Sequence, residues 1–146
     1  FDRQIASHAG AKGLMQLMPG TARETAPRAG LEYNYGNLSD IAYNITLGST
    51  YFGQLMDTYG GSYVLSVAAY NAGPGNVNKW LARNGDPRSG GIDILDWIEQ
   101  IPIFETRNYV QRVLENAVMY DHLNPDKARY RNNTPLSHYL GRRSVG

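Results

Sequence analysis

The sequence contains no cysteine. That excludes disulfides, thiolate metal sites and a cysteine nucleophile within this chain. Charge of one sign is lacking too. Fourteen Lys/Arg stand against 13 Asp/Glu, a net +1, so no global basic field marks a nucleic-acid binder. No apolar run approaches the ~20 residues that a membrane-spanning helix needs. His8, His122 and His138 are too scattered for HExxH spacing, and no metal-ligand cluster is visible. Gly10-Ala11-Lys12-Gly13 lacks the Gly-x4-Gly-Lys-Ser/Thr pattern of a phosphate loop, and no GxSxG elbow is present. Neither a metal nor an organic cofactor is therefore expected. What is present is globular in character: 146 residues, 42% hydrophobic and 18% charged, enough for one domain with a buried core. The chain starts at Phe1 rather than Met, without a signal-like segment, and reads as a mature product or a fragment.

The apolar spacing is helical almost throughout. Ile41, Ile45, Gly48, Phe52, Leu55, Met56 and Tyr59 define one face of a long helix, with Asp40 as its cap and Gly60-Gly61 as its stop. Ser62 can cap a second helix from Tyr63 to about Tyr70, which meets Asn71-Ala72-Gly73-Pro74-Gly75, a run expected to break it. A short helix restarts at Asn76 and carries Val77, Trp80 and Leu81 until Asn84-Gly85; another begins after Asp93. A late helix carries Tyr109, Val110, Val113, Leu114, Ala117 and Tyr120 and ends before Asn124-Pro125. Period-two alternation is not sustained anywhere, so the expected fold class is all-α. Asp126 to Gly146 holds five Arg/Lys and one acid and reads as a basic, loosely packed, solvated end.

Three segments are not explained by composition. In Ser7-His8-Ala9-Gly10-Ala11-Lys12-Gly13-Leu14-Met15-Gln16-Leu17-Met18-Pro19, small residues permit close approach of backbone. Gln16 offers a donor and an acceptor that suit the amide and hydroxyl groups of a sugar. The same run also reads as a helix packed by Leu14, Met15 and Met18 with Gln16 in water. In Ala68-Ala69-Tyr70-Asn71-Ala72-Gly73-Pro74-Gly75, two polar tips follow a close-packed wall, which suits a carbohydrate groove or an ordinary helix end. In Ile101 to Val110, Glu105 lies at a helix start, where the dipole favours its charged form. It is either a binding carboxylate or a first-turn acid beside Arg107.

Taken together, these segments resemble one family. Gly13-Leu14-Met15-Gln16, Ala69-Tyr70-Asn71-Ala72-Gly73-Pro74-Gly75 and Glu105-Thr106-Arg107-x-Tyr109-Val110 have the order and rough spacing of the lytic transglycosylase domain of the soluble lytic murein transglycosylases. The resemblance runs from Phe1 to about Tyr120 and implies a goose-lysozyme-like helical fold over residues 1–123, followed by a basic tail over 124–146. The family's catalytic Glu opens a Glu-Ser-x-Phe/Trp motif just ahead of the Ser-x-x-Gly-Ala-x-Gly-Leu-Met-Gln run. Phe1 matches the aromatic of that motif, which puts the Glu three positions ahead of Phe1. The expectation is an N-terminally truncated domain without its first helix and without a catalytic residue of its own. Loss of that helix is expected to uncover Leu14, Val67 and Val113 and to favour pairing with another chain or an upstream fragment of the same protein.

The resemblance further implies a bacterial periplasmic enzyme that acts on peptidoglycan glycan strands. It cleaves the β-1,4 bond between N-acetylmuramic acid and N-acetylglucosamine to give 1,6-anhydromuramyl products. Ser7, Gln16, Met18, Tyr70, Asn71, Glu105 and Tyr109 are its implied substrate-binding residues, with Tyr70 reaching the catalytic carboxyl or the acetamido group and Asn71 bracing that wall. A goose-type hydrolytic lysozyme and a non-catalytic glycan-binding remnant are the alternative readings.

Overall fold

The computed structural model describes residues 17–34, 36–37, 40–124, 126, 136 and 139–141. Among the described residues the elements run α1 (Pro19–Thr25), a 3-10 turn at Ala26–Ala29, α2 (Ile41–Thr58), α3 (Tyr63–Ala72), α4 (Pro74–Asn84), α5 (Ile94–Glu99) and α6 (Phe104–Leu123). The described residues contain no strand element, and none of their helices is long and apolar enough to cross a membrane. The chain divides into two compact units, Phe1–Gln54 and Leu55–Gly146, with the division falling inside α2.

In the first unit, Met18 is extended and Pro19 opens α1, a position where the missing N–H would have had no intrahelical partner. Met18 is thus the residue before a helix, not a member of one. Ala22 and Ala26 are fully buried. The chain after the 3-10 turn is held by Tyr43, whose hydroxyl donates to the Glu32 carbonyl at 2.9 Å and accepts from the Asn34 N–H at 3.0 Å. Asp40 caps α2 as its sequence position suggests, accepting from the Tyr43 N–H at 3.0 Å.

The buried stripe of α2 agrees with the expected one from Gly48 onward and departs from it in the first turns. Ile41 and Ile45 are 42% and 40% exposed, whereas Asn44, Leu47, Leu55 and Tyr59 are at most 3% exposed. Gly48, Leu55 and Tyr59 of the expected face are buried and Phe52 and Met56 half-buried; the departure is confined to the first turns, where Asn44 and Leu47 take the place of Ile41 and Ile45. There the polar Asn44 is buried, which a count of apolar positions cannot register.

In the second unit, α3 packs against both α4 and α6, and α5 packs against α6. Ser62 caps α3, accepting from the Leu65 N–H at 3.3 Å, and Asp93 caps α5, accepting from the Leu95 N–H at 2.9 Å. The interruption after α3 is narrower than expected. Asn71 and Ala72 remain helical, and Pro74 already begins α4. Gly73 alone carries the change of direction at φ 91° and ψ 148°, a region that side chains other than hydrogen disfavour. A second constrained glycine is Gly85 at φ 100°, where an added Cβ would lie 3.0 Å from the Gly91 carbonyl oxygen. The loop that follows is tied by Asp86, which accepts from the Arg88 backbone and guanidinium. Trp80 of α4 and Trp97 of α5 meet with ring centroids 6.3 Å apart.

α6 begins at Phe104, so Glu105 lies in its first turn as expected, while the late apolar spacing is buried at Val110 and Leu114. Two further expectations change. Val67 is 3% exposed and Val113 half-buried, so Val67 is not uncovered; Leu14 lies outside the described residues. The stretch after Asn124 is not wholly solvated: Tyr139 and Leu140 are each 7% exposed. The Tyr139 hydroxyl donates to the Asp121 carboxyl at 2.5 Å, and its ring lies 5.1 Å from that of Tyr63.

Candidate functional site

The buried body of α3 runs from Val64 to Ala69, and the helix emerges at Tyr70 and Asn71. Tyr70 is half-buried and Asn71 exposed. Opposite them stands the first turn of α6, whose Thr106 is 1% exposed. The Thr106 hydroxyl donates to the Asn71 side-chain oxygen at 2.6 Å, joining two sequence segments 35 residues apart. The Ala-Tyr-Asn and Glu-Thr-Arg motifs therefore meet at one end of this unit.

Glu105 precedes Thr106 and is exposed in the first turn of α6, where the helix dipole favours a negative charge. It is not held by Arg107. That guanidinium sits 5.5 Å from the Phe104 ring centroid and donates to the Glu99 and Ile101 carbonyls, each at 3.4 Å. Among the described residues, the Glu105 carboxyl makes no hydrogen bond or ion pair. It remains available to an external donor. Tyr109, one turn further along α6, is half-buried. Burial pushes its phenol above the ordinary tyrosine value; Tyr63 adds to the rise and Arg112 opposes it. The phenol is held neutral, as a hydrogen-bonding group rather than a base.

Tyr70 and Asn71 thus lie at the end of α3 and Glu105 and Tyr109 in the first turns of α6, two helices of the second unit that pack together and are joined by the Asn71–Thr106 hydrogen bond. Met18, 39% exposed, belongs to the first unit. Ser7 and Gln16 lie outside the described residues. Thr106 was not singled out from sequence as a functional residue. It sits inside the Glu-Thr-Arg motif, but a threonine's burial and its partner across the fold leave no trace in local spacing. Among the described residues, no group of three His, Asp or Glu is arranged to hold a metal ion.

This all-α arrangement has close counterparts. The family model for the transglycosylase SLT domain matches residues 1–90, and the chain belongs to that family. Soluble lytic murein transglycosylase of Escherichia coli K12 is 39% identical over 129 residues, which cover 87% of this chain and 19% of the relative. Among solved structures, the 70 kDa soluble lytic transglycosylase of Escherichia coli superimposes with a TM-score of 0.77 at 37% identity, covering 98% of this chain and 22% of that one. An inactive Glu-to-Gln mutant of lytic transglycosylase Slt from Pseudomonas aeruginosa gives a TM-score of 0.71 at 43% identity, over 86% of this chain and 20% of that one. The fold is accordingly the lysozyme-like helical fold of the lytic transglycosylases. The chain spans about a fifth of the length of these relatives.

Proposed function

We propose that the protein is a peptidoglycan lytic transglycosylase of the bacterial periplasm, cleaving between N-acetylmuramic acid and N-acetylglucosamine with release of 1,6-anhydromuramyl products. The observation that carries this reading is the meeting of the Ala-Tyr-Asn and Glu-Thr-Arg motifs through the Asn71–Thr106 hydrogen bond, in a chain of the transglycosylase SLT family. Its relatives are named as murein enzymes, both soluble and membrane-bound, which supports a cell-wall substrate and the periplasm as its place of action.

The chemistry asks for one carboxyl that acts twice. As general acid it protonates the departing glycosidic oxygen while oxocarbenium character grows at C1; as base it then takes the proton from the C6 hydroxyl. Because that hydroxyl belongs to the same sugar, attack is intramolecular and no water enters the product. The substrate's own acetamido group stabilises the developing cation. We assign the general acid to a Glu three positions ahead of Phe1 in the encoded protein, from the register of Phe1 to Gln16 with the family run. The inactive Glu-to-Gln mutant of Slt supports a glutamate in that role.

In this reading the residues of the chain bind and orient. Ser7 and Gln16 hydrogen-bond sugar or acetamido groups, and Met18 forms an apolar side of the saccharide site. Tyr70 reaches the catalytic carboxyl or the acetamido group. Glu105 binds substrate or its peptide stem, and Tyr109 shapes the floor with its neutral phenol. Digestion of purified murein sacculi by the full-length protein tests the proposal. Mass spectrometry should find anhydromuropeptides, and activity should survive a chelator. Products heavier by ~18 Da, the mass of the water that hydrolysis adds, would identify a hydrolytic lysozyme instead.

A further inference from the structure

We propose that Thr106 is a positioning residue: by tying down the Asn71 side-chain oxygen, it turns the Asn71 amide N–H2 outward as the donor that selects N-acetylated over de-N-acetylated glycan. The proposal rests on the lytic transglycosylase reading above. An asparagine side chain can present either its oxygen or its nitrogen, and the two ends make opposite demands on a ligand. Here the choice is made by the partner. The 2.6 Å separation between the Thr106 hydroxyl and Asn71 lies in the ordinary range for an O–H···O bond and is short for N–H···O. The hydroxyl therefore meets the Asn71 oxygen. Thr106 is 1% exposed while Asn71 is exposed, so the amide oxygen is turned to a buried hydroxyl and the amide nitrogen occupies the other branch of an exposed side chain. Among the described residues that nitrogen has no partner.

An outward N–H2 matches the acetamido carbonyl oxygen of an N-acetylated sugar. It mismatches the cationic amine left after de-N-acetylation, which has only donors to offer. Without the Thr106 hydroxyl the Asn71 amide is free to flip and accept from that amine. Loss of the hydroxyl should then relax selectivity, which is a different outcome from general weakening. The length of the threonine side chain matters less than its hydroxyl, so serine should serve.

Binding of chitotetraose and of its fully de-N-acetylated counterpart to the full-length protein, followed by calorimetry, tests this. The wild type should prefer the acetylated ligand. Thr106→Val should cut the ratio of the two affinities by about tenfold, the scale of one hydrogen bond, and Thr106→Ser should retain it. Asn71→Ala should lose the same selectivity, and Thr106→Val should add nothing in that background. Should Thr106→Val fail to fold, Asn71→Asp decides: it keeps the acceptor for Thr106 and replaces the outward donors with oxygen, so preference should swing toward the amine. Equal weakening of both ligands by Thr106→Val, failure of serine to preserve the ratio, or unchanged preference in Asn71→Asp overturns the proposal. A shift in the ratio without anhydromuropeptides from sacculi would sink the activity and leave Thr106 in its role. Anhydromuropeptides with an unmoved ratio would do the reverse.

Discussion

α3 and α4 are joined through Gly73, yet the two helices live in different surroundings. Every residue of α3 from Val64 to Ala69 is buried, whereas α4 buries only Val77 and Trp80. The first has no solvent face over those turns, because α4 and α6 both pack against it. The second is an ordinary amphipathic helix with a single inward stripe. A helix enclosed in this way can offer polar groups only where it leaves the core. α3 does so at Tyr70 and Asn71, and the candidate site lies there.

The comparison breaks most directly at the centre of α3. Leu65 is fully buried, and Leu65→Ala should cost about 2–5 kcal/mol in denaturant unfolding. The exposed Lys79 of α4 should tolerate alanine within about 0.5 kcal/mol. Equal losses at the two positions would refute the contrast between an enclosed and a one-sided helix.

A somewhat smaller effect is expected where the late segment docks. Tyr139→Phe removes the hydroxyl that bonds Asp121 and leaves a buried acceptor, at a cost of about 1–3 kcal/mol. No change in thermal unfolding would show that this contact contributes nothing. Gly73→Ala tests the junction itself. Nothing lies within 4 Å of the added Cβ, so its whole cost should be backbone strain, about 1–3 kcal/mol. A loss within error would mean that the turn between α3 and α4 tolerates a side chain.

Two titrations sharpen the contrast further. Burial raises the Tyr109 phenol above the usual tyrosine value of 10.0, so the native state favours the neutral form. Its contribution is complete below that value and is lost as pH rises through the elevated native one. Alkaline unfolding should accordingly be less steep in Tyr109→Phe. The smallest effect belongs to the loop after α4. The side-chain hydrogen bond from Arg88 is the main cause that holds Asp86 below its usual value of 3.8, so the pair stabilises above that pH and fails as acid protonates Asp86. Its side chains are 40% and 31% exposed, and Asp86→Asn should cost less than about 1 kcal/mol at neutral pH. Below the depressed value the variant and the wild type should unfold alike.

Much of the helical framework was written locally. Asp40, Ser62 and Asp93 stand where a cap is needed, and each accepts the expected backbone N–H. The α3–α4 break was legible as Gly-Pro, but its width was not: proline at the first helical position suits α4, so only Gly73 had to leave the helix. The stripe of α2 was legible from Gly48 onward but misplaced in its first turns, where Asn44 is buried and Ile41 is not. Periodicity reports which residues are apolar; neighbours decide which face is covered.

The same division holds for the site. Helix starts, stops and motif order follow from backbone chemistry and side-chain type over a few residues, so the sequence by itself determined an all-α chain and the segments that carry its polar groups. Which end of the Asn71 amide faces outward was decided only by the tertiary structure. It depends on a buried hydroxyl 35 residues away, and no local pattern encodes a hydrogen bond that exists only after two helices have packed.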